Sequence, residues 1–331
     1  ANGPFGPGKL AVANGLGAIE GFSNDSKIYF GVDQSSGAFD NDDNSGILKY
    51  VSIRFAGANV QVGNEINALT LGSVGKNTTI EHVEVVSCAD DGIEAFGGNV
   101  NIKYASILFG NDDMFDWDLG YTGKIQFLFG LKTDNTASLD ADNGFEADSD
   151  DQKSNNLPAS HPVIFNATII GNNKTTLTSD NSSIAAINAK EKTEGEISNS
   201  VFDNYKNGLN LVQALGTRTG GVEAYHNWAA ASGINSLKIK CNTFVGVTNN
   251  LTIGNAAATL PADLTQFTTT DLNVTTASVT GFNFALTINN NTNVITAPSP
   301  DATPNPALST AGCPVAPVDG FFVPAAYRGA F

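Results

Sequence analysis

An internal repeat of acidic segments is the feature that most constrains the fold of this 331-residue chain. Three segments align without gaps: DDGIEAFGG from Asp90, DDMFDWDLG from Asp112 and DNGFEADSD from Asp142. Their offsets are 22 and 30 residues, and weaker copies begin at Asn67 and Asn207. A repeat of this length, built on short apolar stretches, is typical of a β-solenoid.

A second repeat alternates with the acidic one along the chain. Each copy has six positions. The first is aliphatic, the third is Tyr, His, Asn or Cys, and the sixth is apolar, while the second, fourth and fifth vary. Its copies are LKYVSI from Leu48, IEHVEV from Ile80, IKYASI from Ile102, IFNATI from Ile164, ISNSVF from Ile197 and IKCNTF from Ile239. Helical repeats would need a 3.6-residue apolar period and more Ala, Leu and Glu, so these segments predict stacked strands.

The alternation of side chains along a strand assigns the acidic repeat two faces. Equivalent residues of successive coils stack about 4.8 Å apart in a parallel β-helix. The side chains at one set of alternating positions are predicted to point into the core: Ile93, Phe115 and Phe145, with Ala95, Trp117 and Ala147. The side chains at the other set are then predicted to face solvent as an acidic ladder: Asp90, Glu94, Asp112, Asp116, Asp118, Asp142, Glu146 and Asp148.

Stacked carboxylates need a compensating charge. Two of them about 5 Å apart repel by roughly 3 kcal/mol at an effective dielectric of 20, and like charges on neighbouring strands destabilise a sheet. Ca²⁺ takes six to eight oxygen ligands at flexible geometry. The sequence therefore predicts Ca²⁺ on the eight residues of the acidic ladder, and the alternative is a solvated acidic surface.

The repeats also carry a family resemblance. ISNSVFDN and IKCNTFVG resemble coils of the right-handed parallel β-helix of pectate-lyase-like proteins. NEINALTLGSVG, IEHVEV, DDGIEAFGG, DDMFDWDLGYTGKIQF and NGFEAD together resemble a large family of secreted β-helix proteins from Bacteroidota and related bacteria, most of them without an assigned function. The resemblance covers about residues 15–250 and the closing FFVPAAYRGAF. It implies an all-β, right-handed parallel β-helix and an exported protein.

Charge and hydropathy exclude two classes of partner. The net charge is −16 with 17 basic residues, so the chain lacks the basic footprint that nucleic acids and anionic membranes require.

No apolar run reaches 18 residues, which predicts no transmembrane helix. The start at ANGPFGPGKL, without Met or a leader, fits a mature secreted protein, extracellular or attached to the cell surface.

The C-terminal quarter differs from the rest of the chain. We expect a β-helix over residues 1–250, and over 251–331 a Thr/Asn-rich cap followed by a Pro-rich strap packed on the same domain. From residue 242 onward only five residues are charged, a composition that suits either capping or self-association. Of the three cysteines, Cys241 and Cys313 are predicted to form a disulfide across about 70 residues, with Cys88 a buried thiol.

Two functional classes remain open. Glycosidases need two acids about 5–9.5 Å apart, which Asp90, Glu94, Asp112, Asp116, Asp118 and Glu146 would supply as a polysaccharide hydrolase or lyase. Yet Gly-His-Gly and Arg-Ile-Lys motifs are absent, only Lys103 and Lys124 flank the region, and His82 is predicted to stack rather than catalyse. The sequence therefore favours a structural, adhesive or self-assembling surface protein over an enzyme or a sugar-binding module.

One aromatic segment is a candidate ligand contact. EAYHNWAAAS contains Tyr225, His226 and Trp228 in a loop-like stretch. Such residues stack on sugars, so a surface polysaccharide is the alternative partner to a second copy of the chain. A satellite hydrophobic cluster is the other interpretation of this segment, whereas Trp117 is predicted to lie in the core.

Overall fold

A computed structural model describes residues 16–19, 28–31, 40–57, 66–132, 143–149, 158–172, 184–213, 223–254, 261–277, 287–289, 294–296 and 310–330. The strands are β1 (Gly17–Ala18), β2 (Tyr29–Phe30), β3 (Ile47–Arg54), β4 (Leu69–Gly72), β5 (Thr79–Cys88), β6 (Ile93–Phe96), β7 (Asn101–Gly110), β8 (Phe115–Asp118), β9 (Lys124–Lys132), β10 (Phe145–Ala147), β11 (Val163–Phe165), β12 (Thr168–Ile170), β13 (Ala185–Ala189), β14 (Gly195–Ser198), β15 (Val201–Asp203), β16 (Asn207–Val212), β17 (Leu237–Lys240), β18 (Thr243–Val245), β19 (Asn249–Gly254), β20 (Val274–Thr276), β21 (Thr287–Asn289) and β22 (Val294–Thr296). The helices are α1 (Ala224–Trp228) and α2 (Pro261–Thr265), with a 3₁₀ turn at Ala230–Ser232 and a π-helical turn at Gln266–Thr270.

Two parallel sheets make up the body of the molecule. Sheet A has the order β19-β16-β13-β10-β8-β6-β4, and sheet B stacks β3, β5, β7 and β9 before splitting into two rows that end at β17 and β20. Within sheets A and B, paired strands are never consecutive in the chain, because each coil visits both sheets before returning, whereas β1–β2 and β21–β22 form two small antiparallel pairs. This arrangement confirms the predicted all-β parallel β-helix.

The strand registers confirm both sequence repeats. In sheet A, Ile93 pairs with Phe115 and Phe115 with Phe145, at the offsets of the acidic repeat. The weaker copy at 67–70 pairs with the same row, since Leu69 lies opposite Ile93. In sheet B, the aliphatic residues that begin the copies of the second repeat form one continuous row: Leu48, Ile80, Ile102, Ile164, Ile197 and Ile239. Ile125 occupies the row between Ile102 and Ile164 and begins an equivalent segment that the sequence repeat had not identified, with Phe127 at its third position.

The core lies between the two sheets and extends along the solenoid. The six residues predicted to point inward are each 0% exposed: Ile93, Ala95, Phe115, Trp117, Phe145 and Ala147. Phe145 makes edge contacts with the rings of Trp117 and Phe202, at centroid distances of 5.9 and 5.5 Å. The apolar half of the acidic repeat therefore supplies the central packing layer of the fold.

A left-handed corner recurs in every coil of sheet B. It falls on the third residue of the second repeat, where φ lies between 52° and 59° in Tyr50, His82, Tyr104, Phe127, Asn166, Asn199 and Cys241. Asn adopts this conformation readily, whereas an aromatic residue is strained there. Ring stacking accompanies the aromatic corners: His82 lies 4.7 Å from both Tyr50 and Tyr104. The predicted stacking role of His82 is confirmed.

The C-terminal residues 310–330 lie along this row of corners. Gln126 bonds both backbone groups of Val323, donating to its carbonyl at 2.7 Å and accepting its N–H at 2.7 Å. Asn199 donates to the Pro314 carbonyl at 2.9 Å. Side-chain amides of different coils therefore hold the backbone of residues 310–330, which we call the strap. Pro-rich residues 297–309 lie outside the described part of the chain.

A disulfide and a buried arginine fix the strap to the last coils. Cys241 and Cys313 are bonded across 72 residues with a Cα separation of 5.7 Å, and Cys88 is a buried free thiol. Arg328, 6% exposed, donates to the Asn242 carbonyl at 3.0 Å and to Thr243 Oγ1 at 3.2 Å. The strap thus has a covalent and a polar anchor on neighbouring positions.

The solenoid continues beyond residue 250. β18 pairs in parallel with β20, which carries sheet B to Thr276. The π-helical turn that precedes β20 packs against the core, because its Phe267 is 0% exposed and its ring centre lies 5.4 Å from that of Phe244. Within the described residues, no helix is long and apolar enough to cross a membrane.

Candidate metal centre

One outward-facing row of sheet A carries the acidic residues. The register places Glu94 opposite Asp116 and Asp116 opposite Glu146, one on each of three successive coils. The row begins at Thr70 and continues past Glu146 as Asn188, Asn210 and Thr252. The face is therefore acidic over three coils and neutral over the next three.

The expectation that these carboxylates face solvent is wrong. Glu94 is 5% exposed, Asp116 and Asp118 are each 8% and Asp148 is 7%, while Asp90, Asp112 and Glu146 are half-buried. The alternation of side chains along a strand determines on which face of the sheet a side chain lies. It does not determine which other parts of the chain pack over that face. Asp142 lies outside the described residues. The acidic ladder is thus a largely buried carboxylate cluster, which makes its charge far more costly than on an open surface.

A second acidic row, at the turn before each strand of sheet A, lies beside the first. The Asp113 N–H donates to Asp91 Oδ1 at 2.9 Å, and the Asn143 N–H donates to Asp113 Oδ1 at 2.5 Å. The Ala185 N–H continues the series to Asn143 Oδ1 at 3.1 Å. Asp91 and Asp113 were not predicted as site residues, although their alignment in the acidic repeat was the signal for them.

Three overlapping carboxylate triads form where the two rows meet. In each triad one oxygen per residue lies within 4.8 Å of the others. They are the first triad (Asp90, Asp91, Asp112), the central triad (Asp91, Glu94, Asp116) and the third triad (Asp116, Glu146, Asp148). Because Asp91 and Asp116 each belong to two triads, charge placed in one triad is felt in the next.

Two lysines distant in sequence contact this cluster, which corrects the expectation that only Lys103 and Lys124 flank it. Lys190 Nζ lies 3.1 Å from Glu146 Oε2 and 3.3 Å from Asp148 Oδ2, at the third triad. Lys132 Nζ donates to the backbone carbonyl of Asp112, beside the first triad.

Lys103 and Lys124 bind the strap instead. The Lys103 ammonium donates to the Phe321 carbonyl and lies 4.6 Å from the centre of that ring. Lys124 forms an ion pair of 2.5 Å with Asp319. Both lysines therefore belong to the attachment of the strap rather than to the acidic face.

Electrostatics distinguish the central triad from its neighbours. Burial, followed by repulsion from four neighbouring carboxylates, raises the pKa of Asp91 well above its ordinary value of 3.8. Burial and four carboxylates do the same to the pKa of Asp116. Burial also raises the pKa of Asp148. Among the charges near Asp148, the Lys190 ammonium has the largest effect, and it lowers that pKa. Asp91 and Asp116 thus lie in the part of the cluster where negative charge is least compensated.

Among the described residues, three buried oxygens in the cluster accept no hydrogen bond: Asp116 Oδ1, Asp148 Oδ1 and Asn67 Oδ1. Asn67, 6% exposed, donates through Nδ2 to Glu94 Oε2, so its amide lies next to the central triad. Carboxylate and amide oxygens without donors are the ligand type that Ca²⁺ and Mg²⁺ prefer. The residues present therefore fit a hard divalent cation, and Asn67 joins the candidate ligands that the sequence had suggested.

The aromatic segment predicted as a ligand contact is mostly buried. Trp228 lies on α1, is 1% exposed and donates its indole N–H to Asp271 Oδ2 at 2.8 Å. Tyr225 is 8% exposed and donates to Asp263 Oδ1 at 3.3 Å, while His226 is half-buried. The two larger rings are core residues hydrogen-bonded to Asp263 and Asp271, which favours the interpretation as a hydrophobic cluster over a sugar-stacking surface.

Substitution of Trp228 by Phe tests this interpretation. The variant removes a hydrogen bond to a buried carboxylate, so the free energy of unfolding is expected to fall by about 2 kcal/mol in urea denaturation. Trp117→Phe is a matched control in which the lost bond goes to a neutral group, Thr193 Oγ1, and about 1 kcal/mol is expected. An unchanged unfolding free energy in Trp228→Phe would contradict the structural role of this indole.

Comparison with known proteins supports the fold. The sequence profile of the pectate-lyase-like β-helix domain matches residues 11–285. No curated protein and no solved structure gives a significant match. The match spans both parallel sheets and all three carboxylate triads. The chain therefore belongs to the family of pectate-lyase-like β-helix domains.

Proposed function

We propose that this protein is an exported structural or adhesive β-helix, extracellular or attached to the cell surface, whose acidic face is stabilised by a bound divalent cation, Ca²⁺. One observation carries the proposal: the central triad gathers three buried carboxylates within 4.8 Å, and Asp116 Oδ1 has no hydrogen-bond donor. A cation at that position would remove repulsion of about 3 kcal/mol per carboxylate pair.

A binding role accounts for the charge better than a catalytic role. The neighbouring carboxylates raise the pKa of Lys190 well above 10.5 in spite of its burial, so its ammonium stays protonated and does not serve as a lyase base. Glu94 and Asp116 are less than 10% exposed, which leaves little surface for a polysaccharide to contact. Both features suit a cation enclosed by the fold.

Exposed apolar side chains on the first strand of sheet B support an adhesive or self-associating surface. Ile47, Tyr50 and Phe55 are 77%, 74% and 82% exposed. They lie on or next to β3, which pairs with β5 alone among the described strands. An open strand edge with exposed apolar residues favours pairing with another chain. The partner in this proposal is a second copy of the protein or a surface polysaccharide.

Asp116→Asn tests the cation site, because its effect on the melting temperature is expected to have opposite signs without and with Ca²⁺. In excess chelator the variant is expected to melt about 2–4 °C above the wild type, because it removes a buried negative charge that four neighbouring carboxylates repel. With millimolar Ca²⁺ it is expected to melt below the wild type, because a ligand oxygen has lost its charge. Thermal unfolding followed by circular dichroism in both buffers measures the effect.

Asp118→Asn is the matched control. Asp118 lies on the same strand with the same exposure but outside all three triads. Its stability change is expected to be equal in the two buffers. A stability change in Asp116→Asn that is likewise independent of Ca²⁺ would refute the site.

A carbohydrate-active enzyme is the second candidate, and the raised pKa values support it. A protonated carboxyl and an ionised one on adjacent rungs are the general acid and base of a glycosidase. A screen on anionic and neutral polysaccharides separates the two functions. Turnover that Asp116→Asn abolishes, without a Ca²⁺-dependent stability change, would favour the enzyme.

A further inference from the structure

Lys190 lies at the boundary between the acidic and the neutral part of the outward row. It follows directly after β13, the strand that pairs with β10 and carries Asn188 in the row of Glu146. The Lys190 N–H donates to the Ala147 carbonyl at 2.9 Å, which fixes its backbone above the preceding coil. Its side chain therefore reaches back over the last acidic rung.

The ammonium of Lys190 already supplies a positive charge to the third triad. It contacts Glu146 Oε2 and Asp148 Oδ2 at 3.1 and 3.3 Å, two of the three carboxylates of that triad. The other oxygen of Glu146 accepts a hydrogen bond from Asn188 Nδ2 at 3.2 Å. Glu146 thus has a donor on each carboxylate oxygen, as a satisfied ion pair requires.

Asp116 couples this ion pair to the central triad. It is a member of both triads, it is 8% exposed, and its Oδ1 has no donor. A divalent cation in the third triad would share oxygens with the ammonium, and at about 4 Å the two cations would repel by several kcal/mol. One coil away, in the central triad, a cation would gain the same attraction from Asp116 with much weaker repulsion.

We propose that Lys190 is the resident cation of the third triad and that it confines the divalent cation to the central triad, one ion per chain. This inference rests on the proposed function, since it assigns the position and number of the cations that the acidic face binds. The lysine thus acts as a positioning residue that sets the stoichiometry.

Lys190→Met is the direct test, because it keeps the length of the side chain and removes its charge. Calorimetric titration of chelator-treated protein with CaCl₂ is expected to give one equivalent for the wild type and two for the variant. Lys238→Met is the matched control, since Lys238 is an exposed lysine on β17 outside the acidic face. It is expected to bind one equivalent, like the wild type.

Two variants that retain Lys190 make the test independent of whether Lys190→Met folds. Asp148→Asn is expected to bind one equivalent with less than about a threefold change in affinity, because its triad holds the ammonium. Glu94→Gln is expected to weaken binding at least 30-fold, because Glu94 belongs to the central triad and to neither of the other two. If Asp148→Asn lost affinity as much as Glu94→Gln, the proposed position of the ion would be overturned.

The stoichiometries distinguish failure of this inference from failure of the proposed function. Two equivalents in the wild type, or one that Lys190→Met leaves unchanged, would overturn the role of Lys190 while the cation site stands. No binding to the wild type and one equivalent in Lys190→Met would refute the central site and retain the resident-cation role. No binding to either protein would overturn both.

Discussion

Removal of divalent cations is expected to lower the melting temperature of this protein, and the loss is expected to increase with pH. At a free Ca²⁺ concentration 1,000 times the Kd, binding to the folded state alone contributes about 4 kcal/mol. For a chain of 331 residues, with an unfolding entropy of about 2.1 cal/mol/K per residue, that corresponds to about 6 °C. Differential scanning calorimetry in CaCl₂ and in excess chelator, at pH 5 and pH 8, measures both effects.

The pH dependence follows from the raised pKa values of Asp91 and Asp116. A carboxyl with a higher pKa in the folded than in the unfolded state destabilises the fold progressively as the pH rises above 3.8 towards the folded-state pKa. The chelator-treated protein is therefore expected to be more stable near pH 5 than at pH 8. A bound cation favours the ionised carboxylates, so the Ca²⁺-loaded protein lacks this loss.

Other buried carboxyls serve as an internal control for this experiment. Burial raises the pKa of both Asp203 and Asp271 to about 6, and neither belongs to a carboxylate triad. Their contribution to the pH dependence is equal with and without Ca²⁺ and cancels in the difference between the two curves. A Ca²⁺-dependent difference that shrinks from pH 5 to pH 8 would contradict the origin assigned to it.

Loss of the Cys241–Cys313 disulfide is expected to lower the free energy of unfolding by about 4 kcal/mol. The bond closes a loop of 72 residues, and its loss increases the conformational entropy of the unfolded chain. It also leaves the strap attached only by non-covalent contacts, among them the hydrogen bonds of Gln126 and Arg328 and the ring contact of Phe165 with Phe322. Urea denaturation of Cys241→Ser/Cys313→Ser beside the wild type measures the change.

The free thiol provides a control for reduction of the wild type. Cys88→Ala keeps the disulfide, so reduction is expected to destabilise this variant and the wild type equally. Limited proteolysis adds a local measurement, because loss of the covalent anchor should speed cleavage within the strap. If the double variant unfolded at the wild-type urea concentration and resisted protease equally, the disulfide would have no part in holding the strap.

The strand register was predictable because the repeat itself encodes it. Ile93, Phe115 and Phe145 occupy the same place in aligned segments, and parallel stacking converts that alignment directly into pairing. The corner residue of the second repeat was predictable for the same reason, down to the stacking of His82 between two tyrosines. Within the repeats, the place of a residue in the aligned sequence is therefore enough to predict its partner on the neighbouring strand.

The burial and the counter-charges of the acidic face were not predictable in this way. Lys190 lies 42 residues after Asp148 and reaches it only because the next coil of sheet A passes directly beside β10. The sequence separation between Lys190 and Asp148 depends on the length of the segment that connects their two coils. Neither sequence repeat specifies that length. The hydrogen-bond partner of Trp228 was unpredictable for the same reason, since Asp271 lies 43 residues further along the chain.

Calorimetric titration of the chelator-treated wild type with CaCl₂ at pH 7.5, beside Asp116→Asn, tests the central claim most directly. The cation site predicts saturable binding of one equivalent per chain by the wild type, and a loss of affinity of at least 30-fold in the variant. Absence of saturable binding by the folded wild-type protein, or equal affinity in the two proteins, would contradict it.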